Sequence, residues 1–207
     1  MNDVFKNIYL RRSVRNYKQS DVADDIIREL IKAGTYAPTA GNRQPWRFVV
    51  IKNREMITRL SERAKKLWLL WLDRLGEIAD PQVERLASQM KMPEFNIFYN
   101  APVLVLIFAA ARASSHQEAL AAEVENKFLR DDCAAAAENM MLAARSLGIG
   151  SCWIGFGLSL DSDHDTRQEL SAPEGYRLMV PLIFGYPAKE SQTAPSRNED
   201  VILNWIT

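Results

Sequence analysis

The stretch 102–109, Pro-Val-Leu-Val-Leu-Ile-Phe-Ala, constrains this chain more than any other. It is almost unbroken Val, Leu and Ile, the mark of a strand buried on both faces. The surrounding apolar run, 101–111, is too short to cross a bilayer. Other segments carry helical spacing. Val4, Phe5, Ile8 and Tyr9 predict a helix over 3–10 with Asn2 as its cap. Ile26, Ile27, Leu30 and Ile31 predict a second over 21–36, with Asp24 and Asp25 where the helix dipole favours them. Ile57, Leu60, Ala64, Leu67 and Trp71 predict a long helix, interrupted near 79–81 and followed by another over 81–90. Ser115-His116-Gln117-Glu118 fits a capping box, and an alanine-rich helix over 131–147 stops at Gly148. Short apolar segments at 46–51, 151–156 and 177–184 read as further strands. Pro181 inside the last of them predicts an edge position or a bulge. An aromatic loop covers 93–100, a polar loop 190–197, and an apolar tail 201–206. Helices and strands mix without strict βαβ alternation, which favours an α+β or three-layer sandwich over a doubly wound sheet.

Composition narrows the function classes. The 207 residues suffice for one domain and do not require two. With 26 basic and 26 acidic side chains the net charge is zero, so no general attraction to nucleic acid or anionic membrane is expected. Any phosphate recognition must then come from a local cluster. Cys133 and Cys152 form no CxxC and read as free thiols of a reducing, cytoplasmic setting. Met-Asn-Asp-Val-Phe at the start has no signal-peptide pattern. With only His116 and His164, a His/Cys metal site is not expected. His164 among Asp161, Asp163 and Asp165 lacks the EF-hand pattern and reads as a solvated helix start.

Two segments stand out for chemistry. Arg11, Arg12 and Arg15 lie within five residues, around Ser13. Such guanidiniums repel one another unless an anion or carboxylates sit among them, and their forks suit phosphate oxygens. The alternative is a set of solvated charges at a helix C-terminus. Downstream, Ala37-Pro38-Thr39-Ala40-Gly41-Asn42-Arg43-Gln44-Pro45-Trp46 is a turn-rich stretch running into a strand. It reads alone as an ordinary helix-to-strand loop. No G-x-G-x-x-G follows a strand, and Gly148-Ile149-Gly150 follows a helix, so a Rossmann reading fails on context.

Arg-Arg-Ser-x-Arg, a helix, and then Ala-Pro-Thr-Ala-Gly-Asn-x-Gln-Pro-Trp resemble the flavin-dependent nitroreductase family in order and spacing, and the likeness covers nearly the whole chain. It implies a three-layer α-β-α sandwich with a central, mostly antiparallel sheet and a C-terminal tail exchanged in a homodimer, as a single domain over 1–207. It implies bound FMN, with Arg11, Arg12 and Ser13 at its phosphate end and Arg15 placing positive charge near the flavin pyrimidine. Pro38, Thr39, Ala40 and Asn42 would reach the ring from the other subunit, while Gln44 and Trp46 read as structural. The segment Leu147-Gly148-Ile149-Gly150-Ser151-Cys152-Trp153-Ile154-Gly155 matches the one whose backbone N–H meets flavin N5. Ile154 or Gly155 is the expected donor, beside Trp153. Gly185-Tyr186-Pro187 and Arg197 match a closing phosphate contact, though Pro195 stands where the family has a second basic residue, and Arg12 is the candidate replacement. The variable helical insert at 64–99 brings Trp68, Phe95 and Tyr99 as substrate-covering candidates, each also readable as packing. Trp71 and Phe98 belong to the same aromatic set.

The function implied is a ping-pong oxidoreductase that takes a hydride from NAD(P)H and reduces a nitroaromatic or quinone. No side-chain general acid is evident, so flavin N5 is the reactive centre. Alternatives are a flavin-fold enzyme of another activity (dehalogenation, dehydrogenation or flavin cleavage) or a non-catalytic flavin-binding protein.

Overall fold

In the computed structural model, residues 2–75, 80–110, 119–189, 196–198 and 200–206 are described, with the side chains of 75 and 119–126 excepted. The capping box at 115–118 and Pro195 lie outside them.

The strands are β1 (Trp46–Ile51), β2 (Val103–Ala110), β3 (Gly150–Trp153) and β4 (Tyr176–Gly185). They form one sheet in the order β1-β2-β4-β3, every neighbour antiparallel. The helices are α1 (Asp3–Leu10), α2 (Asp24–Thr35), α3 (Arg54–Leu75), α4 (Pro81–Met90), α5 (Ala119–Ser146) and α6 (His164–Glu169). The expected Asn2 cap is present, and Asp80 supplies a further one that was not foreseen. Asn2 accepts from the Val4 N–H at 2.8 Å, and Asp80 accepts from Gln82 at 2.8 Å ahead of Pro81.

The apolar run at 102–109 is the central strand β2, and its two faces feed two cores. Val103, Val105, Ile107 and Ala109 pack with α2 and α5. Leu104, Leu106 and Phe108 pack with α3 and with Met90, Ile97 and Phe98. This is the α-β-α sandwich expected from the family likeness, and the described sheet is wholly antiparallel. The alanine-rich helix is longer than its composition signalled: one continuous α5 begins at Ala119. Its small side chains Ala136, Ala137 and Ala144 let it lie close against the sheet.

Pro181 sits in an interior strand, not at an edge, and the reason is directional. Its carbonyl accepts the Ile154 N–H at 3.0 Å, so its nitrogen also faces β3 and no rung to β2 is lost. The reciprocal bond cannot form, and the Ile154 carbonyl takes the Gly157 N–H instead at 3.0 Å. The expected strand over 151–156 therefore ends at Trp153, and the chain turns into a 3-10 segment over Gly155–Ser162. A bulge does occur nearby, where Met179 is the extra residue between Leu178 and Val180.

Close approach fixes one glycine. A Cβ on Gly185 would stand 2.6 Å from Pro102 Cδ and 2.8 Å from Tyr17 Cδ1. Neither ring can swing away, so Gly185→Ala is expected to cost about 2 kcal/mol of stability by overpacking, read from urea unfolding followed by circular dichroism.

Candidate functional site

The arginine segment leaves α1 and is zipped against distant parts of the chain. Val14 N–H donates to the Ser151 carbonyl at 2.9 Å, and Ser13 bridges Ser151 in parallel fashion. Lys18 N–H reaches the Tyr186 carbonyl at 2.8 Å, and Ala188 N–H reaches the Asn16 carbonyl at 3.0 Å. Gly150 makes this approach possible, since a Cβ there would lie 2.9 Å from Val14 Cβ. Three segments far apart in sequence (11–15, 148–156 and 185–187) thus converge on the β3 edge of the sheet.

The guanidiniums are held in different ways. Arg11 Nε meets Glu138 Oε1 of α5 at 3.1 Å. Arg12 folds back, donating to the carbonyls of Tyr9 at 2.7 Å and of Arg11. Its Nε is buried and finds no partner among the described residues. Ser13 and Arg15 are exposed. The Arg15 guanidinium lies 5.8 Å from the ring centre of Tyr99, within cation–π range. Tyr99 and Asn100 both adopt positive φ, at 52° and 51°, which turns that ring toward Arg15. Arg197 is exposed at the end of the chain.

The loop over 38–44 is tied to α5 rather than to this cluster. Ala40 N–H donates to Asp132 Oδ1 at 3.0 Å. Thr39 Oγ1 accepts the Gln44 N–H at 3.2 Å, and Asn42 Oδ1 accepts from Gln44 Nε2 at 3.1 Å. Gly41, Asn42 and Gln44 all take positive φ. Pro38 is exposed, and Trp46 is buried in the core below.

In the segment after β3, Trp153 is partly exposed and Ile154 is buried. The Ile154 N–H is already committed to Pro181, as described above, so it is not available to a ligand. Gly155 is exposed, and a Cβ placed on it meets nothing within 4 Å. Of the two donors considered from sequence, Gly155 is the one the backbone leaves accessible. Sequence could not separate them, because the distinction depends on Pro181 across the sheet.

The aromatic candidates divide. Trp68 packs edge-on against Phe156, with ring centres 5.3 Å apart. Phe95 meets Tyr99 edge-on at 5.9 Å. Phe98 is fully buried core, and Trp71 is exposed. The buried ammonium of Lys65 fixes the Phe95 turn by donating to the carbonyls of Met92 at 3.0 Å and Phe95 at 2.9 Å. Sequence reading passed over Lys65, and also Asp132 and Glu138 of α5. Asp132 falls in the apolar stripe Leu129, Cys133, Ala136, Met140, and a carboxylate on that stripe was the available signal. Asp163 caps α6 by accepting the Thr166 N–H at 2.9 Å, and Asp161 bonds Arg167 at 3.0 Å; these are structural roles.

Comparison with known proteins agrees with these features. A family profile described as "Nitroreductase family" matches residues 8–186. The Archaeoglobus fulgidus protein named "Putative NADH dehydrogenase/NAD(P)H nitroreductase" is 31% identical over 190 residues, 92% of this chain and 88% of that one. A nitroreductase with bound FMN from Bacteroides fragilis superposes with a TM-score of 0.78 at 26% identity, covering 100% of both chains. A BluB-like flavoprotein from Clostridium difficile does so at 0.74 and 28%, again covering 100% of both chains.

Both thiols are buried. Burial pushes Cys133 up to about 12, with the neighbouring Asp132 adding to the effect. Burial also raises Cys152, against the opposing pull of Arg15. The thiolate is the reactive form. At pH 8 the native protein should therefore resist iodoacetamide, and both cysteines should alkylate fully only in denaturant, as counted by intact mass.

Proposed function

The chain belongs to the nitroreductase family, and we propose that it is a homodimeric FMN-dependent oxidoreductase that draws reducing equivalents from NAD(P)H. The observation that carries this reading is the convergence of the arginine segment, the Gly155 turn and Gly185-Tyr186-Pro187 on one sheet edge. The donor set suits FMN. Arg12 Nε is a buried donor with no partner among the described residues, Arg11 and Ser13 add charge and a hydroxyl, and the Gly155 backbone is open to a flat ring.

When bound, FMN would supply the redox chemistry, hydride uptake from NAD(P)H and reduction of an electron-poor nitroaromatic or quinone. The chain's own residues bind and orient. Arg11, Arg12 and Ser13, with Arg197 closing from the tail, hold the phosphate. Arg15, steadied by the face of Tyr99, keeps positive charge beside the pyrimidine, where negative charge develops on reduction. The Gly155 N–H is the fixed donor to the reactive nitrogen. Pro38, Thr39, Ala40 and Asn42 close the ring site from the second copy. Trp153 would flank the ring, and Trp68, Phe95 and Tyr99 of the 64–99 insert would border the acceptor, within a single domain over 1–207. Protons come from water.

Exposed apolar side chains support dimerisation. Val4, Phe5, Ile8 and Tyr9 of α1 and Val201, Ile202, Leu203, Trp205 and Ile206 of the tail stand open to solvent in one chain, and such a set calls for a partner surface. No helix among the described residues is long and apolar enough to cross a membrane, and we place the protein in the cytoplasm.

Likeness to a BluB-like flavoprotein favours one second reading, a flavin enzyme of another activity, which a panel of acceptors would separate. The decisive experiment is anaerobic mixing of the FMN-loaded protein with NADH or NADPH. Bleaching of the flavin, followed by reoxidation with a nitroaromatic or quinone, is expected. Arg11→Ala should weaken FMN binding about ten-fold or more through loss of a charge-assisted phosphate contact. Flavin that binds but is reduced by neither nucleotide would contradict the reading and favour a non-catalytic flavoprotein.

A further inference from the structure

Asp132 is a carboxylate placed where the fold has no structural use for one. It sits mid-helix in α5, 6% exposed, among the fully buried Cys133, Ala136 and Leu129. It is too far along the helix to act as a cap or as a dipole charge in the first turn. Its Oδ1 accepts the Ala40 N–H at 3.0 Å. Its Oδ2 is buried and makes no hydrogen bond among the described residues. A half-satisfied buried carboxylate destabilises a core. In an alanine-rich helix, another alanine would fill the position at no such cost. Departures of this kind concentrate where function demands them.

The group it holds is the loop that needs holding. Within 38–44, Gly41, Asn42 and Gln44 take φ of 61°, 53° and 48°, a conformation that side-chain-bearing residues leave when free to do so. Other hydrogen bonds lie within the loop: Asn42 N–H to the Thr39 carbonyl at 2.9 Å, Gln44 to Thr39 and Asn42, and Arg43 Nε to the Ala40 carbonyl at 3.0 Å; the Arg43 guanidinium also lies 5.9 Å from the ring centre of Phe128 on α5. The internal bonds keep the loop's shape, and the Arg43 contact reaches α5 only through a long, flexible side chain. The Ala40–Asp132 bond joins it to α5, on the same helix whose Glu138 holds Arg11.

We infer that Asp132 is a positioning residue: through the Ala40 N–H its buried carboxylate keeps the 38–44 loop in the one placement that receives the flavin, and so sets FMN affinity. This rests on the function proposed above. An unanchored loop would spend only part of its time in the competent placement, and apparent affinity falls by that fraction.

The test uses the full-length protein, freed of flavin and reloaded with FMN. It reads the FMN dissociation constant by fluorescence quenching and, on the flavin-free protein, amide exchange of 38–44 by mass spectrometry. Asp132→Ala should weaken FMN about ten-fold, the scale of one charge-assisted hydrogen bond, and should speed exchange in the loop. Asp132→Asn keeps an acceptor of the same shape and should stay within about two-fold of the parent on both readouts. Ala40→Pro deletes the donor instead, at the first position of a turn entered from extended Thr39, where proline fits. It should reproduce the Asp132→Ala loss and keeps the test decisive if Asp132→Ala does not fold. Parent-like affinity in Asp132→Ala or in Ala40→Pro, or an Asp132→Asn as weak as Asp132→Ala, overturns the inference while the parent still binds FMN. A parent protein that takes up no FMN removes the proposed function, and this inference with it.

Discussion

A strand with apolar side chains on both faces is stable only between two apolar layers, and β2 imposes that condition on the rest of the chain. Its odd-numbered residues require α2 and α5 on one side, and its even-numbered residues require α3 and the 93–101 turns on the other. With β1 and β4 as hydrogen-bonded neighbours, β3 becomes the outer strand beyond β4. Ser13 and Val14 dock on its free edge at Ser151, and residues 16–18 bond to 186–188, just past β4. The site is therefore a consequence of the layering: it forms where the sheet has a partnerless edge, backed by a rigid core.

Two local devices then shape that edge. Pro181 ends β3 without weakening the β2–β4 pairing, because its missing donor faces Ile154. The chain is released into a 3-10 turn that leaves Gly155 exposed. α5 reaches both the arginine segment and the Pro38–Gln44 loop of its own chain through two acidic side chains, Glu138 to Arg11 and Asp132 to Ala40. One helix thus orients the arginine segment and the Pro38–Gln44 loop together. Any shift of α5 against the sheet would be felt by both.

How much of this was legible in the sequence depends on the range of each interaction. Elements governed by local patterning were readable: α1 with its Asn2 cap, α4 from Pro81 to Met90, and the doubly buried β2. The ordered motifs Arg-Arg-Ser-x-Arg and Ala-Pro-Thr-Ala-Gly-Asn-x-Gln-Pro-Trp were enough to point to the family. What stayed hidden is what depends on a partner far away in the chain. The early end of β3 is set by Pro181 across the sheet. The choice between Ile154 and Gly155 follows from the same contact. Asp132 was passed over, because its partner Ala40 lies 92 residues away in sequence. Tyr99, read first as an acceptor cover, also faces Arg15 because of a positive φ that no propensity rule assigns to tyrosine.

The central claim is that the arginine segment and the turn after β3 together hold FMN. Its most direct measurement is the visible absorption spectrum of the protein after loading with FMN and removal of free flavin, with the denatured supernatant assayed for released FMN. The account predicts a two-banded flavin spectrum at about one FMN per chain, as expected of a resident prosthetic group. A colourless protein that releases no flavin would contradict it, and would return Arg11, Arg12 and Arg15 to the status of solvated charges at the end of a helix.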